Sequence, residues 1–375
     1  MPSYSGPNTF GEENLVFGYD TGDAANSYKG EPTENILALG GSDTEIERSG
    51  TSYPYYSINI DSYIQSRWSS SNNILTLSYE GKRDYVAGGT GGGNDGYPVY
   101  YIYFTDWSWA ATLGTGAYDW QYVKQTFTMP DPTTKSVRFA VYHMNAGNRG
   151  RSYSRKHMLT FGDHAVPFVN GTRSATEGLI DLKGTSTIDL TNVSFDSNAQ
   201  IEFDGTDEYV SVAYNTALNT PNGATYEIML YPESDGEFLS RGKSDSGTDP
   251  DNPRFYIGSN GYLYFDWSTT GADTYVVTPA GAAAMNQWNH IVGIVQPADQ
   301  LRIYVNGVES SYNTVTRTVP SPVPNSEDPI TIGGAGWVPR YIQGKVGIVK
   351  LYNRALTSSE IQANYNAIKG RFNIE

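Results

Sequence analysis

The run Asn286–Glu309, NQWNHIVGIVQPADQLRIYVNGVE, commits this part of the chain to a sheet. Ile291, Gly293 and Val295 alternate with Val292 and Ile294, so the segment is apolar on both sides. A short apolar run bounded by turn residues has the pattern of a buried strand. Leu301, Ile303 and Val305 then alternate with Arg302 and Tyr304, the period of a half-exposed strand. Between them Gln296-Pro297-Ala298-Asp299-Gln300 is a polar turn. Asn306-Gly307 tolerates positive φ at little cost, so another strand is expected after Gly307.

Composition carries the expectation to the whole chain. A length of 375 residues exceeds what one core usually spans, so two domains are expected. Forty Gly, 19 Pro and 30 Tyr, with almost no long helical pattern, favour all-β sandwiches rich in turns. The formal net charge of -15 would repel a phosphate backbone, which argues against nucleic-acid binding. Without cysteine there is no disulfide framework and no thiol nucleophile. The opening residues have neither a basic n-region nor an apolar h-region, and no window is long and apolar enough to span a bilayer. Neither a secretory signal nor membrane insertion is therefore expected.

In chain order, residues 1–13 are polar and expected to form an extended arm. Leu15–Asp20 is a short strand, and a Gly- and Asp-rich loop follows to Glu34. From Asn35 to Val169 the apolar stretches are short: Ile58–Ile60, Ile74–Tyr79, Tyr97–Phe104, Val123–Met129 and Val137–His143. Turn signals separate them, which is the spacing of a second sandwich. Gly88–Gly96, GGTGGGNDG, is a flexible loop without the lysine and helix of a phosphate-binding loop. Near the end, Thr357-Ser358-Ser359-Glu360 is a capping box. It opens a helix with Ile361, Tyr365 and Ile368 on one face and Gly370 placed to end it.

Several of these motifs, taken in order, resemble the laminin-G-like, concanavalin-A-like lectin sandwich. They are Ile201 to Val210, Trp288 to Val292, Leu301 to Gly307, Ile330-Thr331-Ile332-Gly333-Gly334, and Gln343 to Leu356. Leu15–Asp20 and the pair Ser27-Tyr28 resemble the opening of that family, whose remainder resumes here near Gly178. Trp120 to Pro130, followed by Val137 to Tyr142, resembles the late strands of carbohydrate-binding-module jelly rolls. Ala165 to Arg173 resembles a linker that joins such a module to a laminin-G-like domain in bacteriophage virion proteins. The resemblance implies an all-β chain of two jelly-roll sandwiches. Residues 14–34 would open the C-terminal sandwich, 35–169 would be an inserted module, and 170–375 would complete the lectin sandwich with a short C-terminal helix.

Enzymes of this fold are glycanases whose catalytic strand alternates two glutamates around an aspartate, and this chain has no such run. The nearest acidic segment, Glu202 to Glu208, breaks at Gly205, so no enzymatic activity is expected. Asp204, Asp207 and Glu208 are candidate calcium ligands, although Asp-Gly-Thr-Asp is equally an Asx-type turn; no other cofactor is expected. His143, His157, His164 and His290 lack zinc-ligand spacing, and His290 beside Trp288 has the setting of a structural residue.

Aromatics say more, because sugar rings stack their C–H faces on Trp and Tyr. Trp267 and Trp288 lie in strand-like runs and are expected in the core. Trp337, with Tyr341, sits in a loop where no packing duty is evident and is the leading contact residue. Trp107 and Trp109, with Asp106, face one way if Phe104 to Trp109 stays extended. Arg149, Arg151, Arg155, Lys156 and His157 form the basic cluster. Such a run is usually a solvated loop, but in a chain this acidic Arg149 and Arg151 are candidate contacts for an acidic polysaccharide or a neighbouring subunit.

The function expected from the resemblance is that of a non-enzymatic bacteriophage virion surface protein, of tail-fibre, head-fibre or capsid-decoration type, that binds host-surface glycans. A structural protein using the lectin fold only for packing is the alternative, and an enzyme acting on polysaccharide the third. Expected partners are other virion proteins, a host-surface polysaccharide and further copies of the chain, at the virion surface.

Overall fold

The computed structural model describes residues 12–37, 46–49, 56–85, 97–115, 117–144, 150–196, 201–242, 253–269, 272–324, 326–335 and 339–374. The chain forms two compact units, Met1–Pro32 with Ser174–Glu375, and Thr33–Arg173. Most of the expected arm and all of the loop Gly88–Gly96 lie outside the described residues. Glu12–Asn14 is a 3-10 turn leading into β1 (Leu15–Asp20). No helix among the described residues is long and apolar enough to cross a membrane.

The smaller unit is built from β2 (Ile46–Ser49), β3 (Tyr56–Asn59), α1 (Asp61–Arg67), β4 (Ile74–Tyr85), β5 (Tyr97–Phe104), β6 (Ala110–Gly114), β7 (Gln121–Thr128), β8 (Val137–Met144) and β9 (Gly150–Phe161). Two four-stranded antiparallel sheets result, in the orders β2-β9-β4-β7 and β3-β8-β5-β6. Leu75, Leu77 and Tyr79 on β4 meet Tyr100, Ile102 and Phe104 on β5 in one core, each row at the two-residue period of a strand. From Gly150 to His157, β9 takes the place of the expected solvated basic loop. Ser152, Tyr153 and Ser154 are buried there, and His157 lies in the interior with Nε2 2.8 Å from the Tyr100 hydroxyl. Burial pushes the His157 imidazole down to about 4, so the ring is neutral at physiological pH.

The larger unit continues with β10 (Ile201–Asp204), β11 (Val210–Val212), β12 (Ala224–Pro232), β13 (Gly236–Arg241), β14 (Arg254–Ile257), β15 (Leu263–Thr269), β16 (Ala272–Val277), β17 (Asn289–Val295), β18 (Arg302–Val305), β19 (Ile330–Ile332), β20 (Gln343–Tyr352) and α2 (Ser358–Ile368). Its longer strands form two antiparallel sheets, β10-β20-β12-β17-β18 and β11-β19-β13-β14-β15-β16, with two-residue strands at the ends. Along one edge of β20, β10 pairs from Gln343 to Val346, and β1 takes over from Ile348 to Tyr352. The first strand of the chain thus extends a sheet otherwise built from the C-terminal half.

The hairpin that began the sequence reading is β17 and β18. Asn306 and Gly307 hold φ of 50° and 81°, and the expected next strand is Val308–Glu309. β17 is apolar on both sides because both sides are covered. Ile291 and Val295 enter the core between the sheets, while Val292 and Ile294 pack with Leu356 and Ile361 of the C-terminal segment. At Gly293 a Cβ would sit 2.3 Å from the Phe255 ring, which stacks on Phe265 at 4.1 Å. Glycine here admits the opposing sheet's aromatics.

α2 carries the capping box, with the Thr357 side chain accepting from Glu360 N. Its end differs from expectation. Gly370 falls in a 3-10 turn, Lys369–Arg371, and the left-handed residue is Asn373, at φ 53°. Beneath the helix lies Glu227, whose Oε1 is 2.8 Å from His290 Nε2. Its Oε2 accepts from the Tyr352 hydroxyl at 2.7 Å and from Asn364 Nδ2 at 3.2 Å. Burial alone would raise the Glu227 carboxyl, but donation from His290, the charges of His290 and Lys350, and donation from Tyr352 outweigh it and bring it down to about 2.

Candidate functional site

The turn between β5 and β6 does not stay extended. Phe104 N donates to Trp109 O at 3.0 Å and Trp107 N to Phe104 O at 2.8 Å, so the five residues between the strands fold back. Asp106 fixes the turn by accepting from Ser108 N at 3.0 Å and Ser108 Oγ at 2.7 Å. Lys135 also donates to Asp106, and that hydrogen bond holds the carboxyl well below the usual carboxylate range. The two tryptophans therefore separate instead of facing one way. Trp109 packs on Phe104 at 5.5 Å and joins the core edge. Trp107 stacks on Tyr103 at 4.4 Å and 14° between planes, with Tyr101 edge-on at 6.4 Å.

Trp107 is 58% exposed and holds φ of 59°. A left-handed conformation costs a non-glycine residue roughly 1–2 kcal/mol. Such strain persists only where the surroundings enforce it, and it concentrates at functional positions. Burial of Trp107 returns little to offset that cost, since most of the indole remains in water.

On the Trp109 side a groove of 370 Å³ runs between the edge strands β6 and β7, lined by Trp109, Ala111, Thr112, Gln125, Phe127 and Thr128 among others. The sandwich is open here because β7 is mostly exposed and leaves Phe127 and Trp109 half-covered at the margin of the core. The lining offers two aromatic surfaces beside an amide and hydroxyls, the mixture that stacks on sugar C–H faces and hydrogen-bonds their hydroxyls.

The other sequence candidates are dispersed. Trp337 and Arg149 lie outside the described residues, as does the side chain of Arg151, whose backbone pairs with Asp84 and Ser49. Tyr341 is half-buried, stacks with Tyr209 at 6.4 Å and lies against Gly334, where an added Cβ would meet its ring at 2.3 Å. It is wedged in place. Asp204 accepts from Thr206 N at 2.7 Å, with Gly205 at φ 78°, which closes an Asx turn. Glu208 accepts from Ser194 Oγ at 2.9 Å and Asp204 N at 2.8 Å. Desolvation raises its carboxyl in spite of those bonds. No group of three or more His, Cys, Asp or Glu residues able to hold a metal ion forms among the described residues, so Asp204, Asp207 and Glu208 do not converge as ligands.

One constellation escaped the sequence reading. Arg254, Tyr256, Tyr264, Asp266 and Tyr275 alternate with the inward Phe255, Ile257, Leu263, Phe265 and Val276, and so share one face of the second large sheet. Arg254 lies between two carboxylates from different strands, with Nε 3.6 Å from Glu237 Oε1 and Nη2 3.3 Å from Asp266 Oδ2. Burial works against the guanidinium's charge, but attraction first to Asp266 and then to Glu237 overcomes it and raises its pKa. Tyr264 stacks on Tyr275 at 5.1 Å, under the guanidinium at 5.3 Å. The alternation was legible in Arg254–Ile257 and Leu263–Trp267. A search along single strands could not find a pair joined across β14.

Residues 204–362 match the model of the Concanavalin A-like lectin/glucanases superfamily. With two antiparallel sheets and one short C-terminal helix, the larger unit has the jelly-roll, concanavalin-A-like fold. No curated protein sequence matches the chain. Among solved structures, the Trypanosoma rangeli sialidase in complex with sialic acid is similar at 20% identity and a TM-score of 0.39, over 50% of this chain and 30% of that one. The binding domain of Paraclostridial Mosquitocidal Protein 1 is similar at 15% identity and 0.42, over 50% and 49%. The Botulinum neurotoxin serotype D binding domain is similar at 9% identity and 0.40, over 52% and 49%. The chain thus spans less than a third of the sialidase and about half of each toxin domain.

Proposed function

We propose that this chain is a non-enzymatic carbohydrate-binding protein of a bacteriophage virion surface, and that the β5–β6 turn of the smaller unit is its principal contact with a host glycan. The observation that carries the proposal is Trp107, an indole 58% exposed, stacked flat on Tyr103 and held in a conformation its backbone disfavours. An exposed, pre-positioned aromatic gives a sugar ring a platform at little entropic cost. On the Trp109 side of the same turn, the groove offers a second aromatic surface with hydrogen-bonding groups. The lectin-type match over residues 204–362 supports the class, and the linker-like segment Ala165 to Arg173 supports the virion setting.

Support for the absence of hydrolysis comes from Glu237 and Asp266. Arg254 occupies the position between them, where a hydrolytic pair would need to hold the scissile bond. Incubated with a panel of purified bacterial surface polysaccharides, the full chain should bind at least one and release no reducing ends. Sustained release abolished by Glu237→Gln or Asp266→Asn would overturn the non-enzymatic part. Mass spectrometry of purified particles from the source should detect the chain, and its absence from them would overturn the virion part.

A further inference from the structure

The outer face of the sheet β2-β9-β4-β7 gathers cations and aromatics that the groove does not use. In register across it, Glu80 lies opposite Tyr122 and Arg155, Lys82 opposite Tyr153, and Ser78 opposite Lys124. Leu75, Leu77 and Tyr79 point into the core, so these neighbours point out. The Arg155 guanidinium sits 4.2 Å over the Trp120 ring; Lys82 Nζ lies 5.1 Å from the same ring and 4.8 Å from that of Tyr153. The register of β9 slips between Arg155 and Met158, where Lys156 takes φ of 53°. This bulge lets two consecutive cations reach one carboxylate, Arg155 Nε at 2.7 Å and Lys156 Nζ at 2.8 Å from Glu80. Among the described side chains no carboxylate pairs with Lys82 or Lys124, and Tyr122 beside them is 53% exposed.

We propose that this face binds an anionic polysaccharide, with the polymer's acidic groups against Lys82, Lys124 and Arg155 and a sugar ring against Tyr122. The balance of charge is the first reason. In a chain of net charge -15, Lys82, Lys124, Arg155 and Lys156 gather on one face of one sheet. Distance is the second. Ser78 and Lys82 are four residues apart on β4, so the face from Lys124 to Lys82 spans roughly 13 Å, the reach of an oligosaccharide and too long for one small ion. Nucleic acid fits less well. The Trp120 face that a base would stack on already holds a guanidinium, and the rest of the chain repels phosphate. This face is separate from the Trp107 turn and the groove, so either site can fail without the other.

The test is affinity electrophoresis of the full chain through gels containing polygalacturonate, its methyl-esterified form, dextran sulfate or single-stranded DNA, at several salt concentrations. The wild type should be retarded by polygalacturonate or dextran sulfate, less so as salt rises, and not by the esterified polymer. Lys82→Gln combined with Lys124→Gln should weaken that retardation tenfold or more with an unchanged melting temperature, while Lys183→Gln, the loss of an exposed cation on the larger unit, leaves it intact. Retardation by neither acidic polymer overturns the proposal. So does equal retardation by the esterified one, stronger retardation by DNA, or a folded double variant that behaves as wild type.

Discussion

Trp107 and Trp109 stand two residues apart and end in opposite settings, one a stacked platform in water and the other part of a core margin. The sequence marked both tryptophans as candidate contacts, facing one way on an extended segment. Their separation was not legible there, because it depends on Asp106 closing a turn that breaks the strand's alternation. Replacing Trp107 with glycine removes a ring contact of about 0.5–1.5 kcal/mol and relieves a similar amount of backbone strain. Chemical denaturation of Trp107→Gly should therefore show stability within about 1 kcal/mol of wild type. A loss of several kcal/mol would mean that the indole is structural.

His290 was read correctly as structural, but its partner was invisible, since Glu227 lies 63 positions away and meets it only through strand pairing. Glu227→Gln removes the buried carboxylate that His290, Tyr352 and Asn364 share and leaves a buried donor without its acceptor, which should cost about 1–3 kcal/mol at neutral pH. The sign of the pH dependence follows from the depressed carboxyl. The native state holds Glu227 ionised down to about 2, so its contribution is complete above the unfolded value of 4.5 and is lost as pH falls between the two. Melting temperature against pH should fall along that acid limb in the wild type and less steeply in Glu227→Gln. Parallel limbs would show that other groups control acid unfolding.

At the scale of elements, periodicity found what was periodic. The β17–β18 hairpin and the capping box of α2 stood in the sequence because each rests on local chemistry: turn residues at Asn306-Gly307, and a reciprocal cap at Thr357 and Glu360. β9 was missed because its charges suggested a loop. On a sheet with one solvated face, charged residues can alternate with Ser152 and Ser154, and the bulge at Lys156 hides the period. Thr357→Ala should lower stability by about 1 kcal/mol through loss of the cap, measured by thermal melting. Gly293→Ala should cost more, about 1–3 kcal/mol, because the added carbon meets the Phe255–Phe265 stack. If Gly293→Ala melts like wild type, that stack has room to move and the explanation for the glycine fails.

At the scale of the whole molecule, the larger unit takes its first strand from the N-terminal end of the chain and the rest of its sheets from the C-terminal half. Composition conveyed the class, since Gly, Pro and Tyr abundance with no cysteine suits sandwiches stabilised by packing alone. It conveyed little about the site. Aromatic abundance does not distinguish Trp267, fully buried, from Trp107, and only the burial of each ring separates core from contact. The central claim is that Trp107 binds sugar, and titration calorimetry with a polysaccharide that the wild type binds tests it most directly. Trp107→Gly should weaken binding tenfold or more, about 1.4 kcal/mol, while folding as the wild type does; unchanged affinity in a folded Trp107→Gly would contradict it.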